Sequence, residues 1–553
     1  MSDLALIALE SGRLRRIVRQ KPVEIYDVSP AGGYVAYSTY DSTGTTRQQP
    51  YADIWIVSTK TGESRAVARN VPQLFGRNMS WSPDGDRLAF VVSGYGTDFS
   101  DTHQSGDCFV VPARGGGAQN VTTGSHPRFD HALRKPIWDA KGDAIYLFTA
   151  DEIWSARADG HGFRRVARVP GREIKVVLQT GEEGLPWSPS AEDALYVSTF
   201  DSLTKQVGFA KIEPESGAVR QLIKENKLYS VYAFGFAAEG DDVYFEAEDA
   251  QHPPEIWRAH GEDFEHARQL THVNAGAEAY AYGEQRLIHW RNDDGRTLSG
   301  ALLLPAQYQA GHRYPLVVDV YAGSPMSNDV YAFGMGVSYV FANWQLLATR
   351  GFAVLIPDIP LQGVAPMREI AADVLPGINR VVELGIADPD RVGVFGQSYG
   401  GYSTLALIVQ TQRFKAAVSV SGFSDLFSQY SSLQPTDDAF AIGWAEHGQG
   451  RMYGSPWEVR DRYIENSPFF YLDRARTPLL LVHGSLDPTV PPFLADQTFV
   501  ALRRLGQEVE YAKYIGENHG IMGTDNVRDY TARVISWFEQ HLTPTHTQSP
   551  APR

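Results

Sequence analysis

The sequence predicts two domains of different class. An all-β propeller of six or seven blades is expected in residues 1–290, and an α/β domain with a doubly wound, mostly parallel sheet in residues 291–542. The chain has 553 residues, too many for a single hydrophobic core. Its first half repeats a two-strand pattern, and its second half alternates buried apolar runs with helical stretches. The polar, Pro-rich tail 543–553 is expected to be disordered.

The repeat of the first half combines an aromatic or apolar residue, a Ser-Pro or similar pair, a Gly/Asp turn and an alternating apolar strand. It occurs as DVSPAGGYVAYS, WSPDGDRLAFVV, WDAKGDAIYLFT, WSPSAEDALYVS and FAAEGDDVYFEA, which begin at Asp27, Trp81, Trp138, Trp187 and Phe236. A second strand follows most copies, as in DIWIV at Asp53. Such a unit cannot bury both of its faces alone, and radial stacking in a propeller buries them. An array of β-sandwiches is the alternative.

The blade count is left open by the ends of this region. The segment at Leu6 resembles the outer strands of a blade, and residues 277–290 resemble inner strands. Together they would close a ring of six blades. A seventh blade would have to lie in the weaker stretches 115–135 or 160–185.

The second half contains unalternating apolar runs separated by helical patterns at Ile370–Leu384 and Val527–His541. Strands that are buried on both faces have this appearance in a parallel sheet covered by helices. The runs are PLVVDVY at Pro315, FAVLIPD at Phe352, RVGVFG at Arg391, AAVSVSG at Ala416, PLLLVHG at Pro478 and VEYAKYI at Val509.

Composition restricts the possible partners. The formal net charge is -15, from 65 acidic and 50 basic residues, which disfavours binding to nucleic acid or to anionic membranes. The single cysteine, Cys108, allows no intrachain disulfide and no cysteine metal cluster. We read no signal peptide and no apolar run long enough to span a membrane. A cytoplasmic protein without metal or cofactor is therefore expected, and a homo-oligomer is left open.

One turn carries the signature of a nucleophile. The apolar run at Arg391 leads directly into Gly396-Gln397-Ser398-Tyr399-Gly400, and a helix-forming sequence follows. In α/β-hydrolases a G-x-S-x-G sequence between strand and helix holds the serine in a strained backbone conformation with its hydroxyl exposed. A glycine-rich turn with an incidental serine is the alternative. The context on both sides favours Ser398 as a nucleophile on an α/β-hydrolase sheet.

A serine nucleophile needs a base and an acid, which follow in the order Ser, acid, His in this fold. Asp487 follows the run at Pro478, and His519 follows the run at Val509. Both therefore lie beyond the carboxyl ends of late strands, where a triad with Ser398 can form. His483 is the rival histidine, interpreted as a buried structural residue, and Asp425 is the rival acid.

Two donors are predicted for the oxyanion of the tetrahedral intermediate. The backbone N–H of Tyr399 immediately follows the nucleophile. The loop after the run at Pro315 reads VYAGSP and lacks a glycine-rich oxyanion motif, so the Tyr321 hydroxyl is the second candidate. A purely structural aromatic at Tyr321 is the alternative.

With these elements in place, the chain resembles the prolyl oligopeptidase family of serine peptidases. The matching stretches are GIADPDRVGVFGQSYGGYS, SPFFYLDRARTPLLLVHGSLDPTVPP and ALRRLGQEVEYAKYIGENHG. The resemblance implies a peptidase that acts on short peptides, with a propeller that limits the access of large folded proteins. It also strengthens Tyr321, because DVYAGSP at Asp319 resembles the loop in which a tyrosine hydroxyl serves the oxyanion.

Two departures from the family pattern leave exo- versus endo-action open. Glu182 and Glu183 invite comparison with the dipeptidyl peptidases' clamp for a free substrate amine, but their surroundings do not match that motif, and a solvated turn is the alternative. The stretch PDIPLQGVAPM at Pro357 replaces a run common in acylaminoacyl peptidases and leans towards the glutamyl-endopeptidase-like branch.

The insertion Phe423–Phe470 is long and aromatic, and in this fold such an insertion covers the active site. Its aromatic residues could line the substrate pocket or simply pack the insertion. The predicted substrate-binding side chains are Tyr399, Phe427, Trp444, Tyr453 and Val490.

The predicted function is hydrolysis of peptide bonds in short peptides through an acyl-enzyme intermediate. An esterase, amidase or acyltransferase acting on a small metabolite could use the same triad, since the fold does not dictate the substrate. A binding protein with a relic hydrolase domain is the third hypothesis, which the complete Ser, Asp and His set disfavours.

Overall fold

The computed structural model describes residues 2–40, 51–72, 79–91, 107–122, 127, 129, 135–180, 184–189, 193–229, 236–335, 343–433, 440–446 and 448–543. The chain divides into two units. The first comprises Met1–Ala247 with Glu255–Val273, and the second comprises Glu248–Pro254 with Asn274–Arg553. Beyond Thr543, the predicted disordered tail lies outside the described residues.

The described residues of the first unit form six β-sheets. The two-stranded sheet pairs β1 (Ser2–Ile7) with β2 (Leu14–Lys21). The next three are antiparallel four-stranded sheets whose strands follow chain order. The first consists of β3 (Val23–Val28), β4 (Tyr34–Tyr40), β5 (Tyr51–Ser58) and β6 (Ser64–Pro72), and the second of β7 (Met79–Trp81), β8 (Arg87–Val91), β9 (Cys108–Pro112) and β10 (Gln119–Asn120). The third consists of β11 (Ile137–Trp138), β12 (Ala144–Phe148), β13 (Glu152–Arg157) and β14 (Phe163–Arg168).

The two remaining sheets of the first unit are less regular. One runs β15-β18-β19-β20, and the other runs β17-β16-β22-β23-β24-β25, with β21 paired to β23. Their strands are β15 (Glu173–Val177), β16 (Gln179–Thr180), β17 (Leu185–Pro186), β18 (Leu195–Phe200), β19 (Val207–Ile212), β20 (Val219–Glu225), β21 (Leu228–Tyr229), β22 (Phe236–Glu239), β23 (Asp242–Glu248), β24 (Glu255–His260) and β25 (Asp263–Gln269).

These sheets stack face to face in chain order, because each apolar cluster of the unit joins two sheets that follow one another. The inner strands β3, β7 and β11 line a cavity of about 870 Å³ together with residues around Thr180 and Leu185. Radial stacking around a central cavity is the architecture of a propeller, which confirms the predicted fold.

Two of the repeated tryptophans, Trp81 and Trp138, tie successive sheets together. The indole of Trp81 donates to the carbonyl of Asp27 in the preceding sheet at 3.2 Å, and that of Trp138 donates to Ser80 at 3.1 Å. Both rings are also buried in the apolar cluster at their sheet junction. The spacing of the repeat therefore reflects one indole hydrogen bond at each of these two junctions.

The blade assignment at the end of the propeller needs a correction. Residues 277–290 were expected to supply inner strands that complete the β1–β2 sheet, but β26 (Gln285–Arg291) pairs along its whole length with β27 (Thr297–Leu303) in the second unit. A strand in an antiparallel edge hairpin alternates like a blade strand, so its pattern did not distinguish the two. The sheet of the second unit thus begins before residue 290.

The second unit is built on one eight-stranded sheet, in the order β26-β27-β29-β28-β30-β31-β32-β33. The pairs β26–β27 and β27–β29 are antiparallel, and the others are parallel. The further strands are β28 (Tyr314–Asp319), β29 (Ala353–Pro357), β30 (Ala387–Gln397), β31 (Ala416–Val420), β32 (Leu479–Gly484) and β33 (Val509–Tyr514).

Helices cover both faces of this sheet, as expected for a doubly wound domain. One buried cluster contains residues of α2, α3 and α7, and the other contains residues of α1 and α8. The helices are α1 (Gln345–Ala348), α2 (Pro366–Glu383), α3 (Tyr399–Ile408), α4 (Leu426–Tyr430), α5 (Phe440–Glu446), α6 (Arg460–Glu465), α7 (Phe493–Arg504) and α8 (Thr524–Leu542). Short 3₁₀ segments lie at Ala275–Ala279, Met326–Asp329, Phe333–Met335 and Pro468–Arg474. No helix in the described ranges is long and apolar enough to cross a membrane.

Candidate active site

The turn around Ser398 has the predicted strained geometry. Ser398 stands between the end of β30 and the start of α3 with φ 57° and ψ -120°, an unfavourable conformation for a residue with a side chain. A Cβ on Gly396 would lie 2.1 Å from the carbonyl oxygen of Gly400, and one on Gly400 would lie 2.2 Å from that of Val320. The flanking glycines are therefore required by close backbone approach. The Ser398 side chain is left half-buried at the carboxyl edge of the sheet.

Asp487 and His519 meet at the same edge, beyond the ends of β32 and β33. His519 Nδ1 lies 2.8 Å from Asp487 Oδ2. The backbone N–H groups of Thr489 and Val490 both donate to Asp487 Oδ1 at 2.9 Å. The Asp487 side chain is fully buried, whereas 26% of the His519 side chain is exposed. This pairing occupies Nδ1 of His519 and leaves Nε2 for a substrate-side partner.

The charge on Asp487 is stabilised by its neighbours. Burial raises the pKa of this carboxyl, but hydrogen bonds from His483 and His519 lower it to about 2. Asp487 is therefore ionised throughout the neutral pH range. An ionised carboxylate at this position favours the imidazolium that forms when His519 accepts a proton.

Hydrogen bonds link the loop of His519 to the nucleophile elbow, which is the turn Gly396–Gly400 around Ser398, and to the end of β31. The Gln397 side-chain amide, next to Ser398, donates to the carbonyl of His519 at 3.3 Å. The Ser421 hydroxyl at the end of β31 donates to the same carbonyl at 3.0 Å. The Asp–His pair and the elbow therefore belong to one connected hydrogen-bonded network at the edge of the sheet.

Tyr321 follows β28 and lies beside Ser398. Burial raises the pKa of the Tyr321 phenol, and hydrogen bonds with the Gln449 and Ser398 side chains partly offset this rise. The phenol is therefore protonated at neutral pH and can donate a hydrogen bond near the nucleophile. Tyr399 begins α3, and the first N–H groups of a helix lack intrahelical partners. Both predicted oxyanion donors lie next to Ser398.

The predicted substrate-binding side chains separate into groups. Tyr399 is 2% exposed, stacks on Tyr402 with ring centres 5.0 Å apart and meets Trp444 edge-on at 5.3 Å. Val490 is buried directly beside the acid. Phe427 packs instead against Tyr463 and Phe470 within the insertion, and Tyr453 is 39% exposed under the Arg451 guanidinium. Tyr399 and Trp444 form one aromatic wall, and Phe427 and Tyr453 make their ring contacts elsewhere.

The rival residues have other contacts. Asp425 caps α4 by accepting from the backbone N–H of Phe427 at 3.0 Å. His483 is fully buried at the end of β32, as predicted, but its ring also approaches Asp487. Glu182 and Glu183 lie outside the described residues.

Sequence reasoning missed two neighbours of the site. Gln449, from the long insertion, contacts the Tyr321 phenol, and nothing in its sequence context marked it. The contact between His483 and Asp487 has a weak signal, the four-residue spacing across the turn after β32. In the described part of the chain no three His, Cys, Asp or Glu side chains are grouped so as to hold a metal ion.

An α/β sheet that carries a serine on a strained elbow, with an Asp–His pair beyond its last two strands, defines the class of α/β-hydrolase-fold serine hydrolases. Within this class, residues 367–545 match the model of the prolyl oligopeptidase family. This match agrees with the resemblance to the serine peptidases of that family inferred from the motifs.

Individual relatives are distant. An uncharacterized peptidase, YuxL, of Bacillus subtilis is 27% identical over 345 residues, which are 59% of this chain and 50% of the relative. Dipeptidyl-peptidase 5 of Porphyromonas gingivalis is 21% identical over 504 residues, which are 84% of this chain and 67% of the relative. The chain thus spans about half the length of the Bacillus protein.

Solved structures share the fold of both units. A puromycin-hydrolysing peptidase of Mycobacterium tuberculosis superposes with a TM-score of 0.73 at 19% identity, covering 96% of this chain and 82% of that one. An acylaminoacyl peptidase superposes with a TM-score of 0.59 at 19% identity, covering 99% and 92%. At this level of identity the likeness concerns the fold.

Proposed function

We propose that this protein is a serine peptidase that hydrolyses peptide bonds of short peptides through an acyl-enzyme intermediate on Ser398, Asp487 and His519. The observation that carries the proposal is the arrangement at the edge of the catalytic sheet. A strained, half-buried serine there contacts a protonated phenol, next to a buried carboxylate bonded to a partly exposed imidazole.

The proposed reaction uses each group in turn. Ser398 Oγ attacks the scissile carbonyl while His519 Nε2 accepts its proton, and Asp487 stabilises the resulting imidazolium. The negative oxygen of the tetrahedral intermediate accepts hydrogen bonds from the Tyr321 hydroxyl and the Tyr399 N–H. His519 then protonates the leaving amine, and a water molecule activated by the same imidazole releases the acyl group.

The proposed substrates are short peptides. Support comes from the peptidase family of residues 367–545 and from relatives named dipeptidyl-peptidase 5 and puromycin-hydrolysing peptidase. Tyr399 directly follows the nucleophile and meets Trp444 edge-on at 5.3 Å, so this aromatic pair is the candidate for contact with the side chain before the scissile bond. Peptide pairs that differ only in N-terminal acetylation would separate exo- from endo-action.

The test combines active-site labelling with substrate profiling. A fluorophosphonate probe is expected to label Ser398 of the full chain, and the Ser398→Ala variant is expected to stay unlabelled. Panels of aminoacyl amides and peptides should be cleaved by the same preparation. Turnover of simple acyl esters with refusal of every amide would reject the peptidase and favour an esterase or acyltransferase.

A cytoplasmic site of action is part of the proposal. It accords with a chain whose single cysteine, Cys108, allows no intrachain disulfide. Subcellular fractionation of the native cells, with detection by antibody, checks it, and recovery in an extracytoplasmic fraction would contradict it.

A further inference from the structure

Two imidazole rings converge on one oxygen of the Asp487 carboxylate. His519 Nδ1 lies 2.8 Å from Asp487 Oδ2, and His483 Nε2 lies 3.1 Å from the same atom. The other oxygen, Oδ1, accepts two backbone N–H groups. The His483 and Asp487 side chains are both fully buried. A buried carboxylate oxygen shared by two imidazoles is an unusual environment for a group that only needs to orient one of them.

The contacts of His483 fix the position of its proton. Its Nε2 also lies 2.8 Å from the carbonyl oxygen of Val490, which can only accept a hydrogen bond. Nε2 must therefore carry a proton. Its Nδ1 is buried without a hydrogen-bond partner among the described residues, which suits an unprotonated nitrogen better than a second N–H. The His483 N–H thus donates to the Val490 carbonyl, and it also faces Asp487 Oδ2, which lies 3.1 Å from Nε2.

The His483 N–H closes the turn that carries Asp487. Val490 donates its own N–H to Asp487 Oδ1, and its carbonyl accepts from His483, so both backbone polar groups of Val490 are held. His483 is the next-to-last residue of β32 and is paired with Lys513 of β33. The ring therefore connects the rigid sheet to the acid.

We propose that His483 is a positioning residue that acts on His519 through Asp487, provided that the triad of the proposed function operates. The positive end of its N–H dipole lies against Oδ2, with Nε2 3.1 Å away, and there it stabilises the negative charge of the oxygen that holds the His519 imidazole. Within the described residues, the titratable side chains that act on the Asp487 carboxylate are His483 on β32 and His519 beyond β33. Loss of the His483 donor leaves Oδ2 more basic, which favours the imidazolium form of His519.

The experiment compares His483→Leu with His483→Gln in the full chain. Leucine removes the donor and keeps an apolar volume, whereas the glutamine amide can place an N–H near the position of Nε2. The dependence of kcat/KM on pH is measured with one peptide substrate. The acidic limb of His483→Leu is expected to move to higher pH by about half to one unit, and His483→Gln is expected to recover most of that shift.

A purely structural role gives a different result. If both variants lose rate by the same factor at every pH, or if glutamine behaves like leucine, His483 only packs the core and the proposal is overturned. Should His483→Leu fail to fold, the His483→Gln profile alone decides. A glutamine profile with full activity and an acidic limb within half a unit of the wild type supports the role of the His483 N–H, and a limb displaced by half a unit or more, or a lowered plateau, contradicts it.

A readout without substrate separates this proposal from the peptidase assignment. The proton between His519 and Asp487 is followed by its low-field NMR resonance in the wild type and both variants. A resonance that changes in His483→Leu and returns in His483→Gln supports the role of His483 even if no peptide is cleaved, and an unchanged resonance rejects it. Failure of the wild type to cleave any peptide rejects the peptidase assignment alone.

Discussion

Glycines serve different purposes in the two units. In the propeller repeats, Gly32 and Gly85 adopt φ of 68° and 71°, and a Cβ on Gly32 would meet nothing within 4 Å. At the nucleophile elbow, Gly396 and Gly400 lack a positive φ, but a Cβ on either would lie about 2 Å from a backbone oxygen. The residue that does adopt the positive φ there is Ser398.

The two kinds of glycine meet different requirements: a positive φ in the propeller turns and close backbone approach at the elbow. The repeat turns need a backbone torsion that other residues reach at moderate cost, so the propeller should tolerate substitution. The elbow needs the absence of a side chain, because strand, helix and oxyanion loop approach within contact distance. Five changes, ordered by expected effect, test whether the catalytic unit is as intolerant and the propeller as tolerant as this comparison implies.

Ser398→Ala removes the attacking oxygen and is expected to lower kcat/KM by at least about a thousandfold, because nucleophile and base act as a unit. The fold should be retained, since the change deletes one atom from a half-buried side chain. Steady-state kinetics and circular dichroism measure the two effects. Residual activity above a few per cent would remove Ser398 from its proposed role.

Tyr321→Phe deletes the phenol that contacts Ser398 and keeps the ring. We expect kcat to fall by about a hundred- to thousandfold with KM little changed, because the oxyanion donor is used mainly in the transition state. Tyr331→Phe, in the turn between the 3₁₀ segments Met326–Asp329 and Phe333–Met335, is the matched control. A rise in KM with unchanged kcat would make Tyr321 a ground-state binding residue instead.

Gly400→Ala tests the crowding at the elbow. The new methyl group would lie 2.2 Å from the carbonyl oxygen of Val320, directly after β28. Either this segment or α3 must therefore move. The cost is expected to be about 3 kcal/mol or more, with loss of activity in whatever protein folds. Thermal unfolding followed by circular dichroism measures it. If Gly400→Ala has the thermal unfolding midpoint and the kcat/KM of the wild type, the close approach between Gly400 and the Val320 carbonyl is contradicted.

The acid contributes stability that depends on pH. The pKa of Asp487 falls from 3.8 to about 2 on folding, so ionised Asp487 stabilises the fold above about pH 4, and this contribution is lost as pH falls towards 2. Its size is about 2 kcal/mol. The unfolding free energies of the wild type and Asp487→Asn should therefore converge as pH falls from about 4 to about 2. If the difference in unfolding free energy between the wild type and Asp487→Asn stays constant over this range, the charge on Asp487 does not stabilise the fold.

Gly32→Ala is the counterpart of Gly400→Ala in the propeller. Only the torsion opposes it, since the surrounding space is open, so we expect a loss of about 1 kcal/mol and unchanged catalysis. The same thermal unfolding assay and peptide kinetics apply. An effect as large as that of Gly400→Ala would remove the distinction between the two kinds of glycine.

Much of the catalytic unit could be predicted because buried parallel strands read as continuous apolar runs. β28, β31 and β32 are buried at every position, and each coincides with such a run. The order of strands then places Ser398, Asp487 and His519 at one edge before any coordinates are known. The contact between Asp487 and His519 agrees with that prediction.

Other features depend on tertiary packing that no local pattern records. β26 alternates like a propeller strand, and only its partner β27 assigns it to the catalytic sheet. Phe427 and Trp444 lie in the same aromatic insertion, yet they face different neighbours. Gln449 reaches Tyr321 from a distant segment, and its residue type alone carries no signal.

The indole hydrogen bonds of Trp81 and Trp138 have a consequence for how the propeller can change. Each links a sheet only to the one before it, so excising or duplicating one complete repeat would leave the remaining junctions chemically the same. Stability in such an array is approximately a sum of nearest-neighbour contributions. Whole-repeat gain or loss is therefore a change in length that this architecture can accommodate, whereas an insertion inside the elbow is not.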